Sequence, residues 1–161
     1  MKKKTPMKGE FIYSVVFILL LPMLLLTCKN KQVLPTKDEA KAAVWQKIQM
    51  ENDRWAAGDP MGFLEYAAKD IIWSDDLGAQ NRVIGYDSLK TYLEAFKGQV
   101  PPHQHELIEP VFQIYDDIVI VSYRYQGILE GESLPPWKVT SVFRYADGEW
   151  LSVHENWTDV S

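Results

Sequence analysis

The chain has 161 residues and a formal charge of −5, with one cysteine and 12% aromatic residues. Residues 1–27 hold four Lys and one Glu, so once that net +3 is set aside the remainder carries −8. An acidic balance excludes a phosphate-backbone partner, and a lone cysteine excludes a disulfide framework. The residues after 27 suffice for one domain with its own core.

The first segment reads as a leader. Lys2, Lys3, Lys4 and Lys8 precede an almost wholly apolar run from Phe11 to Thr27, which ends at Cys28 and is followed by Lys29-Asn30-Lys31-Gln32. A basic region, an apolar region and a short processing site make a secretory signal, with the lysines retained on the cytoplasmic side. Leu25-Leu26-Thr27-Cys28 resembles a bacterial lipobox, with Thr27 where a smaller residue is usual. The expected layout is a lipoprotein-type signal peptide over 1–27, a tether over 28–36 beginning at lipidated Cys28, and a domain over 37–161. That places the domain at the cell envelope, held to the membrane and facing the periplasm or exterior. The alternative is a retained anchor, although 17 residues broken by Pro22 lie at the short limit for a span.

Asp38 to Ala57 predicts a helix, with Thr36 and Glu39 at capping-box spacing and Val44, Ile48 and Trp55 on one face. Gly58 ends it, Asp59-Pro60 restarts the chain, and a short helix is expected over Met61–Ala68. Ile71 to Ser74 predicts a strand and Arg82 to Ile84 a second, with a Gly- and Asn-containing loop between them. Asp87 can cap a third helix through Phe96. Strands then follow over His105–Tyr115, breaking near Pro110, and over Ile118–Leu129, Trp137–Tyr145 and Glu149–Thr158, with Asp147-Gly148 as a hairpin turn. Three helices followed by a four-strand meander mean an α+β fold.

Several local runs carry a resemblance. They are Trp55-Ala56-Ala57-Gly58-Asp59, Tyr66-Ala67-Ala68-Lys69-Asp70, Gly85-Tyr86-Asp87-Ser88-Leu89, Arg144 to Trp150, and Val153-His154-Glu155-Asn156-Trp157. In this order they resemble the nuclear transport factor 2-like superfamily, which includes ketosteroid isomerase and the SnoaL-like polyketide cyclases. The resemblance implies a cone-shaped, strongly curved, mostly antiparallel sheet wrapped around the long first helix and enclosing a pocket. It also implies homodimers through the outer sheet face. Asn156 and Thr158 depart from the secreted SnoaL-like group, which often has His and Ser there.

Asp75 looks equivalent to the proton-shuttling acid of the isomerase, since an Asp in an apolar pocket can serve as a general base. The isomerase oxyanion-hole positions fall on Glu51 and Ser141, neither a ready donor, which argues against steroid isomerisation. His154 and Glu155 point to opposite sides of the last strand. Alternation from Trp157 puts Leu151, Val153 and Glu155 inside, where Glu155 could meet Asp75; the opposite parity would pair Asp75 with His154. A bulge would reverse the assignment. Trp55, Trp73, Trp137, Val139, Phe143, Val153 and Trp157, with Glu51 and Ser141, are the expected lining. His103 and His105 could hold a metal only with a third ligand, and a surface or dimer contact is the simpler role. No cofactor motif is present. The expected function is binding of a small, largely apolar molecule. The alternatives are cofactor-independent isomerase, cyclase or hydratase chemistry on Asp75 with His154 or Glu155, or a dimeric interaction module.

Overall fold

A computed structural model describes residues 33–77 and 82–160. The leader, Cys28 and most of the tether lie outside the described residues. Helix α1 (Lys37–Ala56) begins at Thr36, whose hydroxyl accepts from the Glu39 amide while the Glu39 carboxylate reaches back to the Thr36 amide. This capping box satisfies amides that an isolated first turn leaves unpaired. Gly58 terminates the helix at φ +86°, with Asp59 N–H donating to Arg54 C=O and Gly58 N–H to Trp55 C=O. That is a Schellman stop, and its left-handed residue is one that glycine adopts freely.

The short helix differs from the expected Met61–Ala68. It is a 3₁₀ turn over Pro60–Leu64. Strand β1 (Ala67–Asp75) already begins at Ala67 because the Tyr66 carbonyl accepts the Ser152 amide at 2.7 Å. Pairing with the last strand thus overrides a local helix. Strand β2 (Val83–Ile84) pairs antiparallel with β1, and α2 (Tyr86–Glu94) follows. Gly85, not Asp87, occupies the N-cap of α2, and no side chain caps it.

The rest is β3 (Gln104–Tyr115), β4 (Ile118–Leu129), β5 (Glu132–Ser133), β6 (Trp137–Ala146) and β7 (Glu149–Asp159). The sheet order is β2-β1-β7-β6-β4-β3, with β5 on β4; only β1 and β7 run parallel. The Asp147-Gly148 turn has φ of +54° and +89°, as a tight hairpin requires. Strand β3 shifts register between Ile108 and Val111, where Glu109 adopts φ +53° and Pro110 has no amide to pair. Three such irregularities, in the β3–β4, β6–β7 and β1–β7 pairings, suit a curved, mostly antiparallel sheet.

Register fixes what faces inward. Cross-strand partners share a face, so Val121, Ser141, Glu155 and Trp73 form one rung and Tyr123, Val139, Trp157 and Asp75 the next. Against this face α1 packs Ala40, Val44 and Ile48, spaced by four residues. Burying side chains of this kind stabilises by about 1.5–3 kcal/mol each for the larger ones.

Strand β7 corrects the uniform alternation. Its pairing with β6 steps from His154 opposite Val142 to Ser152 opposite Phe143, leaving Val153 as an extra residue. Trp150 and Ser152 are buried before the bulge, and Glu155 and Trp157 after it. Leu151 and Val153, expected inside, are only half-buried.

Candidate functional site

Asp75 ends β1 and is 4% exposed. Its carboxylate accepts from the Trp73 indole N–H, from the Tyr92 hydroxyl at 2.7 and 2.8 Å to its two oxygens, and from the Leu77 amide at 3.0 Å. Trp73 reaches it because residues two apart on a strand share a face. Tyr92 comes from α2, whose Leu89 and Leu93 anchor that helix in the core. Burial, and then the bond to Asp75, raise the Tyr92 phenol above its ordinary value, so it stays a protonated donor.

Around this carboxylate stand Trp55, Phe63, Trp73, Leu77, Tyr92, Leu93, Phe96, Tyr125, Trp137 and Trp157, enclosing about 60 Å³ of free space. Trp73 and Trp157 stack at 6.2 Å and 20°, and Phe63 meets both edge-on at 5.0 and 5.5 Å. Such contacts stiffen aromatic walls. An outer recess of about 290 Å³ shares Trp55, Leu77, Phe96, Tyr125 and Trp137 with this slot and continues to His103, Gly127, Leu134 and Pro135. The slot alone is small, but slot and recess together approach the volume of ordinary ligand clefts, roughly 300–1,000 Å³.

At the shared wall, His103 Nδ1 lies 2.8 Å from the Pro101 carbonyl and Nε2 lies 2.6 Å from the Tyr125 hydroxyl. A carbonyl only accepts, so Nδ1 carries the hydrogen; in the neutral ring Nε2 then accepts from Tyr125. His105 stacks on the same tyrosine at 5.4 Å and lies 3.6 Å from Asp53. A Cβ at Gly127 would come within 3.1 Å of Leu134 and 3.4 Å of His103, so the bare backbone there admits this histidine.

A second polar group lies deeper. Glu155 accepts from Ser141 at 2.6 Å and Ser152 at 2.7 Å. Burial, the dominant cause, raises its carboxyl to about 7, although both serine bonds oppose the shift. Glu51 is also raised, by burial and then by Glu155. Asn52 donates to the Ile48 carbonyl at 2.7 Å and to the Tyr123 hydroxyl at 3.3 Å. Tyr123 is pushed up by burial and then by Glu155. Two buried acids that interact in this way favour holding a proton between them.

The expected residues therefore divide. Trp55, Trp73, Trp137 and Trp157 line the slot with Asp75. Val139 and Phe143 are buried in the core, while Glu51, Ser141 and Glu155 belong to the deeper cluster. Glu155 thus bonds Ser141 and Ser152 and raises Glu51, and it makes no bond to Asp75. His154 is half-buried on the side opposite Glu155, and Asp75 takes its bonds from Trp73, Tyr92 and Leu77 instead. Val153 lies at the bulge. Sequence reasoning missed Tyr92, Phe96, Tyr125 and Phe63. Tyr92 and Phe96 are four apart in the run expected to be helical, although α2 ends at Glu94, and Tyr123 and Tyr125 are two apart on one strand face, so periodicity held that signal. Among the described residues no three His, Cys, Asp or Glu side chains gather to hold a metal, and no helix is long and apolar enough to cross a membrane.

The model of the SnoaL-like domain matches residues 49–153, well over half of the chain. The chain belongs to the SnoaL-like domain family. Solved structures agree on the fold. A candidate ketosteroid isomerase of Parabacteroides distasonis is 28% identical, with 71% of this chain and 85% of that one covered and a TM-score of 0.61. An NTF2-like protein of Pseudomonas putida, of unknown function, is 20% identical, with coverage of 77% and 89% and a TM-score of 0.68. A Catenulispora acidiphila protein in complex with S-DNPA is 16% identical, with coverage of 76% and 95% and a TM-score of 0.63. No curated protein matches the chain.

Proposed function

We propose that this SnoaL-like domain binds a small, largely apolar molecule in the aromatic slot and its outer recess. The observation that carries the reading is the slot itself, where four tryptophans and three other aromatic rings surround one buried carboxylate beside Tyr92. Large apolar walls with few convergent polar groups are the usual form of a ligand site. The related fold of Catenulispora acidiphila was solved with a small molecule, which supports the same use here. Tethering through a lipidated Cys28 at the cell envelope belongs to this proposal and rests on the lysine–apolar–cysteine order alone. Titrating the full-length chain with small aryl and alkyl compounds should give a saturable change in tryptophan emission. A flat response across such a series would refute the reading. Replacing Cys28 by Ala should abolish any lipid-modified form seen by mass spectrometry.

A second reading is proton transfer on a small carbonyl compound, with Asp75 as the base. It is favoured by the isolation of Asp75 among aromatic walls beside a tyrosine hydroxyl and by the name of the Parabacteroides relative. Solvent-deuterium exchange into small ketones, followed by NMR, tests it. Exchange unchanged in Asp75→Asn would sink the enzyme reading while leaving binding intact. Exposed Val111 and Tyr115 on β3 are the surface on which we place a homodimer contact, and sedimentation as a monomer at tens of micromolar would reject it.

A further inference from the structure

The buried charged residues are all acids: Glu51, Asp75 and Glu155, with no buried Lys, Arg or His among the described residues. Asp75 stands apart from the other two. Glu51 and Glu155 can hold a proton between them, whereas both oxygens of Asp75 accept hydrogen bonds, which is the bonding pattern of an ionised carboxylate. Among the described residues no cationic side chain forms an ion pair with it. A buried anion without a counter-charge is costly. The polar groups around it also present lone pairs. Tyr92 spends its proton on Asp75, and beside a neutral His103 ring Tyr125 spends its own on Nε2. The walls are aromatic faces, which attract a cation through their negative quadrupole.

We infer that the natural ligand is a cationic amphiphile, a primary or substituted ammonium on an aryl or alkyl body, with its head at Asp75 and its body in the outer recess. The inference rests on the slot being a ligand site, as proposed above, and adds the charge of the occupant. The head must be compact, since the inner space is about 60 Å³ against about 290 Å³ outside. The indole N–H of Trp157 is buried without a partner. A ligand oxygen placed there would add to the charge requirement and would not replace it.

The test uses one carbon skeleton with three charges. The full-length chain is titrated at neutral pH with 3-phenylpropylamine, 3-phenylpropan-1-ol and 3-phenylpropanoate, read by calorimetry and tryptophan emission. The amine is protonated there, as a lysine side chain is. It should bind about tenfold or more tighter than the alcohol, the sum of a desolvated cation–π contact and a charge-assisted bond, and the carboxylate should bind weakest. Asp75→Asn should remove the preference for the amine and keep alcohol binding. If the alcohol binds as tightly as the amine, or if folded Asp75→Asn keeps the full preference, the cationic assignment fails while the slot stands as an apolar ligand site. If none of the three binds, both readings fail. The series in the unsubstituted chain decides even if Asp75→Asn does not fold.

Discussion

Replacing Glu155 by Gln should make the domain more stable, by an amount that grows as pH rises from about 4.5 to about 7. In the folded chain the carboxyl is raised by burial to about 7, against an ordinary 4.5. Between those values the folded state keeps a proton that the unfolded chain has released. Stability therefore falls as pH rises through this interval and levels off above it. The full cost, worked from the two values, is about 3 kcal/mol. Glu51 is raised as well and adds to the same slope. Glutamine keeps the shape and can accept from one serine while donating to the other, so Glu155→Gln should match the parent near pH 5. It should exceed the parent by about 3 kcal/mol at pH 8. Glu39, Asp59 and Asp70 are lowered by Thr36, Arg54 and Arg144 respectively, so their contributions are lost only at more acid pH and leave this window clear. Urea unfolding of both chains at pH 5, 6, 7 and 8 measures the difference. A gap between the two that is constant with pH would refute the reasoning, because it would mean that no buried charge is being created.

Three further outcomes follow from the packing. Phe143 is fully buried, and Phe143→Ala should cost about 3–5 kcal/mol in denaturant unfolding, by lost burial and the cavity left behind. Gly62→Ala would set a Cβ 2.7 Å from the Arg54 Cβ and 3.2 Å from the Glu51 carbonyl, so it should destabilise by about 1–3 kcal/mol in the same assay. Tyr92→Phe strips one of three donors from Asp75 and should lower stability by about 1–3 kcal/mol in denaturant unfolding at pH 7; an unchanged midpoint would mean that the pair is not formed in solution.

The α1 capping box, the glycine stop at Gly58 and the Asp147-Gly148 hairpin were legible because each depends on local chemistry that a few adjacent residues supply. The break near Pro110 was legible because proline has no amide for the ladder. The Met61–Ala68 helix was misread because what decides it is a bond from Ser152, eighty-six residues away from Tyr66. The four tryptophans of the slot were visible as large apolar residues at strand and helix positions. The partner of Asp75 was not, since Tyr92 reaches it from another element. Nor could sequence separate Asp75 from Glu155. Both are acids on inward strand faces, and only the placement of donors and neighbouring charge distinguishes them.

One residue in β7 determines both environments. With a side-chain period of two, a strand that buries Trp150 and Ser152 would next bury His154 and Asn156, and would turn Glu155 and Trp157 outward. The extra residue at Val153 shifts the face. It brings Glu155 inward, so that Ser141 on β6 and Ser152 on its own strand both reach the carboxylate. It also places Trp157 beside Trp73 and opposite Asp75, completing the stacked wall of the slot. The bulge thus does more than curve the sheet. It divides the acids of one interior into Glu51 and Glu155, each raised by burial, and Asp75, bonded by Trp73, Tyr92 and Leu77 among aromatic faces. A regular β7 would bury a histidine and an asparagine in their place, with neither the acid pair nor the tryptophan wall.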